Sequence, residues 1–117
     1  MQEINRHIGP LSLEQIVRFA GAVQDFNPIH YDEDFAHAAG LPGVVAQGPL
    51  TYLVALDSLI AANGLASVGG FQVRLKAPVL PGMSLLLSCN AEGKVSLKAD
   101  GQEALAGTLQ APAGAVR

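Results

Sequence analysis

The sequence predicts an α+β fold in which an antiparallel sheet wraps one long helix. Two observations carry this. Apolar residues recur at helical spacing through much of the first half and at every second position through the second half. The stretch from Leu50 to Ala62 is apolar almost all round, so it needs cover that the later strands must supply. With 117 residues, 50% of them hydrophobic and 15% charged, the chain can bury a core and is expected to form one domain over residues 1–117.

Ser12-Leu13-Glu14-Gln15 reads as a capping box, with Ser12 as N-cap and Gln15 at N3. The helix it opens presents Leu13, Ile16, Val17 and Ala20 at helical spacing and fades near Gly21 to Gln24. Asp32 is placed to cap a short second helix carrying Phe35, Ala36 and Ala39, which Gly40 and Pro42 end. Gly48-Pro49 starts the main helix, since the missing N–H of a proline is no loss in the first turn. Asn63-Gly64 closes it. At about 1.5 Å per residue it is roughly 20 Å long.

Beyond Val68-Gly69-Gly70 the period changes to two. Phe71, Val73, Leu75 and Ala77 alternate with Gln72, Arg74 and Lys76, until Pro78 and the Pro81-Gly82 turn. Met83 to Ala91 is the next strand, turned back by Glu92-Gly93. Lys94 to Asp100 follows, and after a turn at Gly101 the last strand is Glu103 to Gln110. Four successive strands with short turns are expected to pair as a meander. The tail from Pro112 is expected to fray.

Composition excludes several classes of function. A net charge of −3 and a pI near 5.4, with the basic residues scattered, argue against nucleic acid as a partner. Cys89 is the single cysteine, which leaves no internal disulfide and suits a reducing cytoplasm. The opening Met1 to Arg6 lacks the apolar run of a secretory leader, and apolar runs such as Leu53 to Leu56 fall far short of a membrane span.

The densest polar cluster is Asp25-Phe26-Asn27-Pro28-Ile29-His30. Asn27-Pro28 enforces a non-helical turn, and a turn can bring Asp25 and His30 to face one another across a small gap. A carboxylate and an imidazole so placed can hold one water, one group taking its proton and the other delivering a proton elsewhere. A hydrogen-bonded loop is the plainer reading of an Asp and a His at that spacing, and the wider context decides between them.

Asp25-x-Asn27-Pro28-x-His30, followed by Ala36, Gly40-Leu41-Pro42-Gly43 and Ala46-x-Gly48, resembles the signature of the MaoC-like family of (R)-specific enoyl-CoA hydratases and (3R)-hydroxyacyl-ACP dehydratases. The resemblance runs from about Leu11 to Leu85 and includes Lys76-Ala77-Pro78-Val79-x-Pro81-Gly82. It implies the hotdog fold, a homodimer, and reversible hydration of a trans-2-enoyl thioester to the (3R)-hydroxyacyl form. The acyl group would be carried on CoA or acyl carrier protein, and neither metal nor organic cofactor is implied.

The resemblance further implies that Asp25 and His30 are the catalytic pair and that Asn27 and Pro28 position them. It makes the Gly48 N–H the donor to the thioester carbonyl. A helix N-terminus suits that role, because the reaction develops an enolate oxyanion there. Three residues depart from the pattern. Gln24 stands where many members have glycine, Gln47 where the family usually has histidine, and Met83 where aspartate is common. Gln47 retains hydrogen-bonding capacity and is counted with Gly48 and Asn27 among the substrate-binding candidates.

Other polar residues have plainer readings. His7 and His37 fit exposed or locally bonded positions, and Asp32, Glu33 and Asp34 fit a helix start better than a metal site. Cys89 falls on the apolar phase of a strand. Asp57 and Ser58, on the apolar helix, fit a partly exposed helical face or, alternatively, the acyl pocket or a subunit interface, and Arg74 and Lys76 fit a solvated strand face better than a phosphate contact. Rival readings are a non-catalytic partner subunit or acyl-binding module, against which the retained pair argues, and a hotdog thioesterase, which would lack the Asp-x-Asn-Pro-x-His turn.

Overall fold

Helix α1 (Leu13–Val23) begins where the capping box places it in the computed structural model, which describes residues 1–113. Ser12 Oγ accepts from the Gln15 N–H at 3.0 Å and Gln15 Oε1 accepts from the Ser12 N–H at 2.8 Å. Of its apolar stripe, Ile16 and Ala20 are buried, whereas Leu13 and Val17 remain exposed. A 3₁₀ turn (Pro28–His30) and the short α2 (Glu33–Ala38) follow. Asp32 caps α2 by accepting from the Phe35 N–H at 3.0 Å.

Helix α3 (Gly48–Asn63) is the long helix, with Gln47 as N-cap and Gly48 as its first residue. It is not enclosed on all sides, as its composition suggested. Thr51, Ala55 and Leu59 are buried on one stripe, while Leu53 on the far side is 45% exposed. A sheet of this size covers one side of a helix and leaves the other free.

The sheet has five antiparallel strands, one more than the alternation revealed: β1 (Ile4–Ile8), β2 (Gly70–Leu75), β3 (Leu85–Cys89), β4 (Lys94–Ala99) and β5 (Gln102–Gln110). Their order is β1-β3-β4-β5-β2, which corrects the expected four-strand meander. Only β3, β4 and β5 meander. β2 lies at the far edge against β5, in register Phe71 with Leu109 and Leu75 with Leu105. The segment 76–84 carries the chain across the sheet from β2 to β3. At the β3–β4 turn Gly93 has φ 87°, and a Cβ there would lie 2.3 Å from the Leu109 carbonyl oxygen. Only glycine fits.

Alternation sends Leu85, Leu87, Cys89, Val95, Leu97, Leu105 and Leu109 inward against Ala55 and Leu59 of α3. Full burial of a leucine contributes about 1.5–3 kcal/mol. Tyr52 anchors α3 to β2, its ring stacked on Phe71 at 5.1 Å and its hydroxyl donating to the Phe71 carbonyl at 3.2 Å. No helix among the described residues is long and apolar enough to cross a membrane. Of the tail expected to fray, residues 114–117 lie outside the described residues.

Candidate active site

The polar cluster is built from the end of α1. Gln24 takes the left-handed conformation (φ 59°) that ends the helix, a position where glycine would be unstrained. The Asp25 N–H then donates to the Ala20 carbonyl at 2.9 Å. Asp25 Oδ1 accepts from the Asn27 N–H at 3.3 Å, and Asn27 Oδ1 accepts in turn from the Ile29 N–H at 3.2 Å. Pro28 opens the 3₁₀ turn, and the His30 N–H closes it on the Asn27 carbonyl at 3.1 Å. Asx turns of this kind need no distant partner, which is why six residues suffice to shape the cluster. Tyr31 braces it, donating its hydroxyl to the Phe26 carbonyl at 3.1 Å.

The turn brings Asp25 Oδ2 to 3.3 Å from His30 Nε2. The two side chains differ in burial: that of His30 is 9% exposed and that of Asp25 41%. The imidazole is oriented from behind, where Nδ1 lies 2.8 Å from the Val45 carbonyl oxygen. A carbonyl only accepts, so Nδ1 carries a hydrogen, and in the neutral ring Nε2 presents a lone pair to Asp25. An ionised carboxylate also only accepts. The pair therefore either shares a proton directly, as imidazolium and carboxylate, or faces a third molecule that donates to both.

Val45 ties this pair to the start of α3. Its N–H donates to the Ile29 carbonyl at 3.0 Å, and the next N–H, of Ala46, donates to the Val79 carbonyl at 2.7 Å. Ala46, Gly48, Thr51, Leu75, Ala77, Pro78 and Val79 line a cavity of about 330 Å³. Gly48 thus meets the cavity at the helix N-terminus, where first-turn N–H groups lack partners within the helix. Pro49 has no N–H to offer.

Asp25 and His30 are not among the residues lining this cavity, and Val45–Ala46 is the segment that joins the two. Asn27 is exposed, with its side chain committed to the turn. Gln47 is 1% exposed and faces inward, its Nε2 donating to the Ile16 carbonyl of α1 at 2.9 Å.

Sequence reasoning missed Val45, Thr51 and Leu75. Thr51 did leave a signal, as a polar break in the apolar helix. Val45 left none, because it acts through its carbonyl. Asp57 and Ser58 line a second, larger cavity of about 530 Å³ against the outward side of α3, together with Ile8, Leu11 and Leu53. Lys76 pairs with Glu103 at 2.7 Å. Cys89 is buried, which pushes its thiol up and disfavours the thiolate.

A family model described as MaoC like domain matches residues 2–110. The mesaconyl-C(4)-CoA hydratase of Chloroflexus aurantiacus is 32% identical over 101 residues, which are 81% of this chain and 35% of that protein. A solved structure titled MaoC-like dehydratase superposes with a TM-score of 0.83 at 30% identity, covering 94% of this chain and 39% of that one. The (R)-hydratase from A. caviae gives a TM-score of 0.72 at 20% identity, covering 92% of this chain and 91% of that one, and speaks to the fold. This chain thus spans well under half the length of the first two. The match over nearly all of the described residues, joined to the five-stranded sheet on its long helix, means that the chain belongs to the MaoC-like family and has the hotdog fold.

Proposed function

We propose that this chain is a hydro-lyase that reversibly adds water across the C2–C3 double bond of a trans-2-enoyl thioester, giving the (3R)-hydroxyacyl thioester. The observation that carries the reading is the facing of Asp25 Oδ2 and His30 Nε2 at 3.3 Å, with Nδ1 engaged by the Val45 carbonyl. Two acceptors so placed can hold one water by both of its hydrogens. In hydration its oxygen bonds to C3 as the C2–C3 π bond breaks, one of the pair takes a proton from it, and the pair returns that proton to C2. The charge that builds on the thioester oxygen is met by the Gly48 N–H at the head of α3. The substrate is carried on CoA or on acyl carrier protein, and the reaction takes place in the cytoplasm.

In this reading residues 1–117 act as one hotdog unit and pair with a second copy. Two features support pairing: among the described residues β1 and β2 are the outer strands of the sheet, and the outward side of α3 leaves Leu53 exposed. The test is direct. Purified protein incubated with trans-2-enoyl-CoA thioesters of graded chain length should consume the conjugated thioester absorbance and yield the (3R) alcohol. Inactivity across chain lengths, on CoA and carrier-protein thioesters alike, would overturn the reading in favour of a non-catalytic partner subunit. Release of free thiol instead would point to a thioesterase.

A further inference from the structure

Gln47 is the most deeply buried polar side chain of the protein's described residues, and its bonding is lopsided. Its Nε2 donates to the Ile16 carbonyl at 2.9 Å, while its Oε1 is buried without a hydrogen-bond partner among the described residues. An acceptor left so is destabilising. The Ile16 carbonyl, for its part, sits inside α1, where the helical ladder already provides it with a donor. Folding stability alone therefore gives little reason for an amide here, and an apolar side chain of the same length would fill the space without an orphaned oxygen.

The bond has a geometric consequence. Gln47 is the N-cap of α3, immediately before Gly48, and Ile16 lies on the helix whose C-terminal end positions Asp25 through the Ala20 carbonyl. No other side-chain hydrogen bond among the described residues joins α1 to the start of α3. We infer that Gln47 is a positioning residue. Beside the bonds at Val45, its buried amide fixes α1, whose end leads into Asp25, against the Gly48 N–H at the head of α3, without touching substrate. Catalysis is sensitive to displacements of this order, because a donor or base moved by about 1 Å loses much of its effect. The inference rests on the hydro-lyase reading for its kinetic consequence and on geometry alone for its structural one.

The experiment compares wild type with Gln47→Met and Gln47→His. Methionine keeps the length and removes both polar atoms, and histidine restores an N–H donor at similar reach. Gln47→Met should keep the thermal midpoint of wild type or raise it, lower kcat at least tenfold, and leave KM within about twofold. Gln47→His should recover most of the lost kcat. Independently of activity, the amide resonances of Asp25 and Gly48 should move in Gln47→Met and return toward wild type in Gln47→His. An unchanged kcat, or a loss of kcat accompanied by a lowered midpoint or failure to fold, would overturn the inference. Inactive wild type would sink the hydro-lyase reading instead, and the amide resonances would then decide for or against the positioning role.

Discussion

Adding a single methyl group at Gly48 separates chemistry from folding. A Cβ there would lie 2.5 Å from Leu75 Cδ1 and 4.0 Å from Leu75 Cγ, with nothing else nearby. Carbon atoms prefer about 3.5–4.0 Å, so Leu75 must retreat by about 1 Å. Leu75 is 51% exposed at the open edge of β2, and turning its side chain costs about 0.5–1.5 kcal/mol. Alanine in place of glycine returns up to about 1 kcal/mol of helix propensity. The two offset each other, so Gly48→Ala should move the thermal midpoint by no more than about 3–6 °C.

The functional effect is of another size. The new methyl enters the cavity of about 330 Å³ that Gly48 lines, where the proposed reaction brings a thioester oxygen to the Gly48 N–H. Loss of one such donor lowers turnover by about 10²–10³-fold. Gly48→Val, with two further methyl groups, should abolish it. The assay is the decay of enoyl-thioester absorbance per folded molecule, beside a thermal melt. Turnover of Gly48→Val within threefold of wild type would refute the oxyanion role, and a large fall in midpoint would assign the loss to unfolding.

Asp25→Asn and His30→Ala should each lower turnover about 10²-fold or more, and losses within threefold in folded protein would remove the pair from the mechanism. Wild type should scatter light as a dimer or larger at micromolar concentration, and Leu53→Glu should shift it toward monomer; a wild-type monomer would contradict the pairing. The Lys76 ammonium and the Ser96 hydroxyl hold the Glu103 carboxyl below its ordinary value. A carboxyl lowered in the folded state stabilises it above the unfolded value, and that contribution fades as pH falls through the folded value. Lys76→Met should therefore flatten the loss of stability below about pH 4.3, and an acid limb identical to wild type would refute the pairing's influence.

Local signals were legible and distant ones were not. The capping box at Ser12 and the Asp32 cap act within one helical turn, and the Asp25–His30 approach is made by Asx turns inside six residues. β1 escaped notice because Ile4–Ile8 buries only Ile4 fully, too little alternation to register as a strand. The place of β2 beside β5 depends on the crossing of 76–84, and strand periodicity says nothing of partners. The sequence of α3 reads as that of an enclosed helix because an apolar surface looks the same whether it is covered within the chain or by a second subunit. Val45 was invisible because every residue has a carbonyl, and the inward turn of Gln47 depends on how α1 packs.

The bonds that join Ile29 and His30 to Val45 also close a loop. The chain leaves this point at Tyr31, runs out through α2, and returns at Val44, so residues 31–44 form an excursion whose two ends are pinned together. Lengthening such an excursion costs little, about 0.6 kcal/mol per doubling. Insertions in it leave its two ends pinned between Ile29, His30 and Val45. The segment can therefore change in length while the Val45 carbonyl keeps the imidazole in the same orientation.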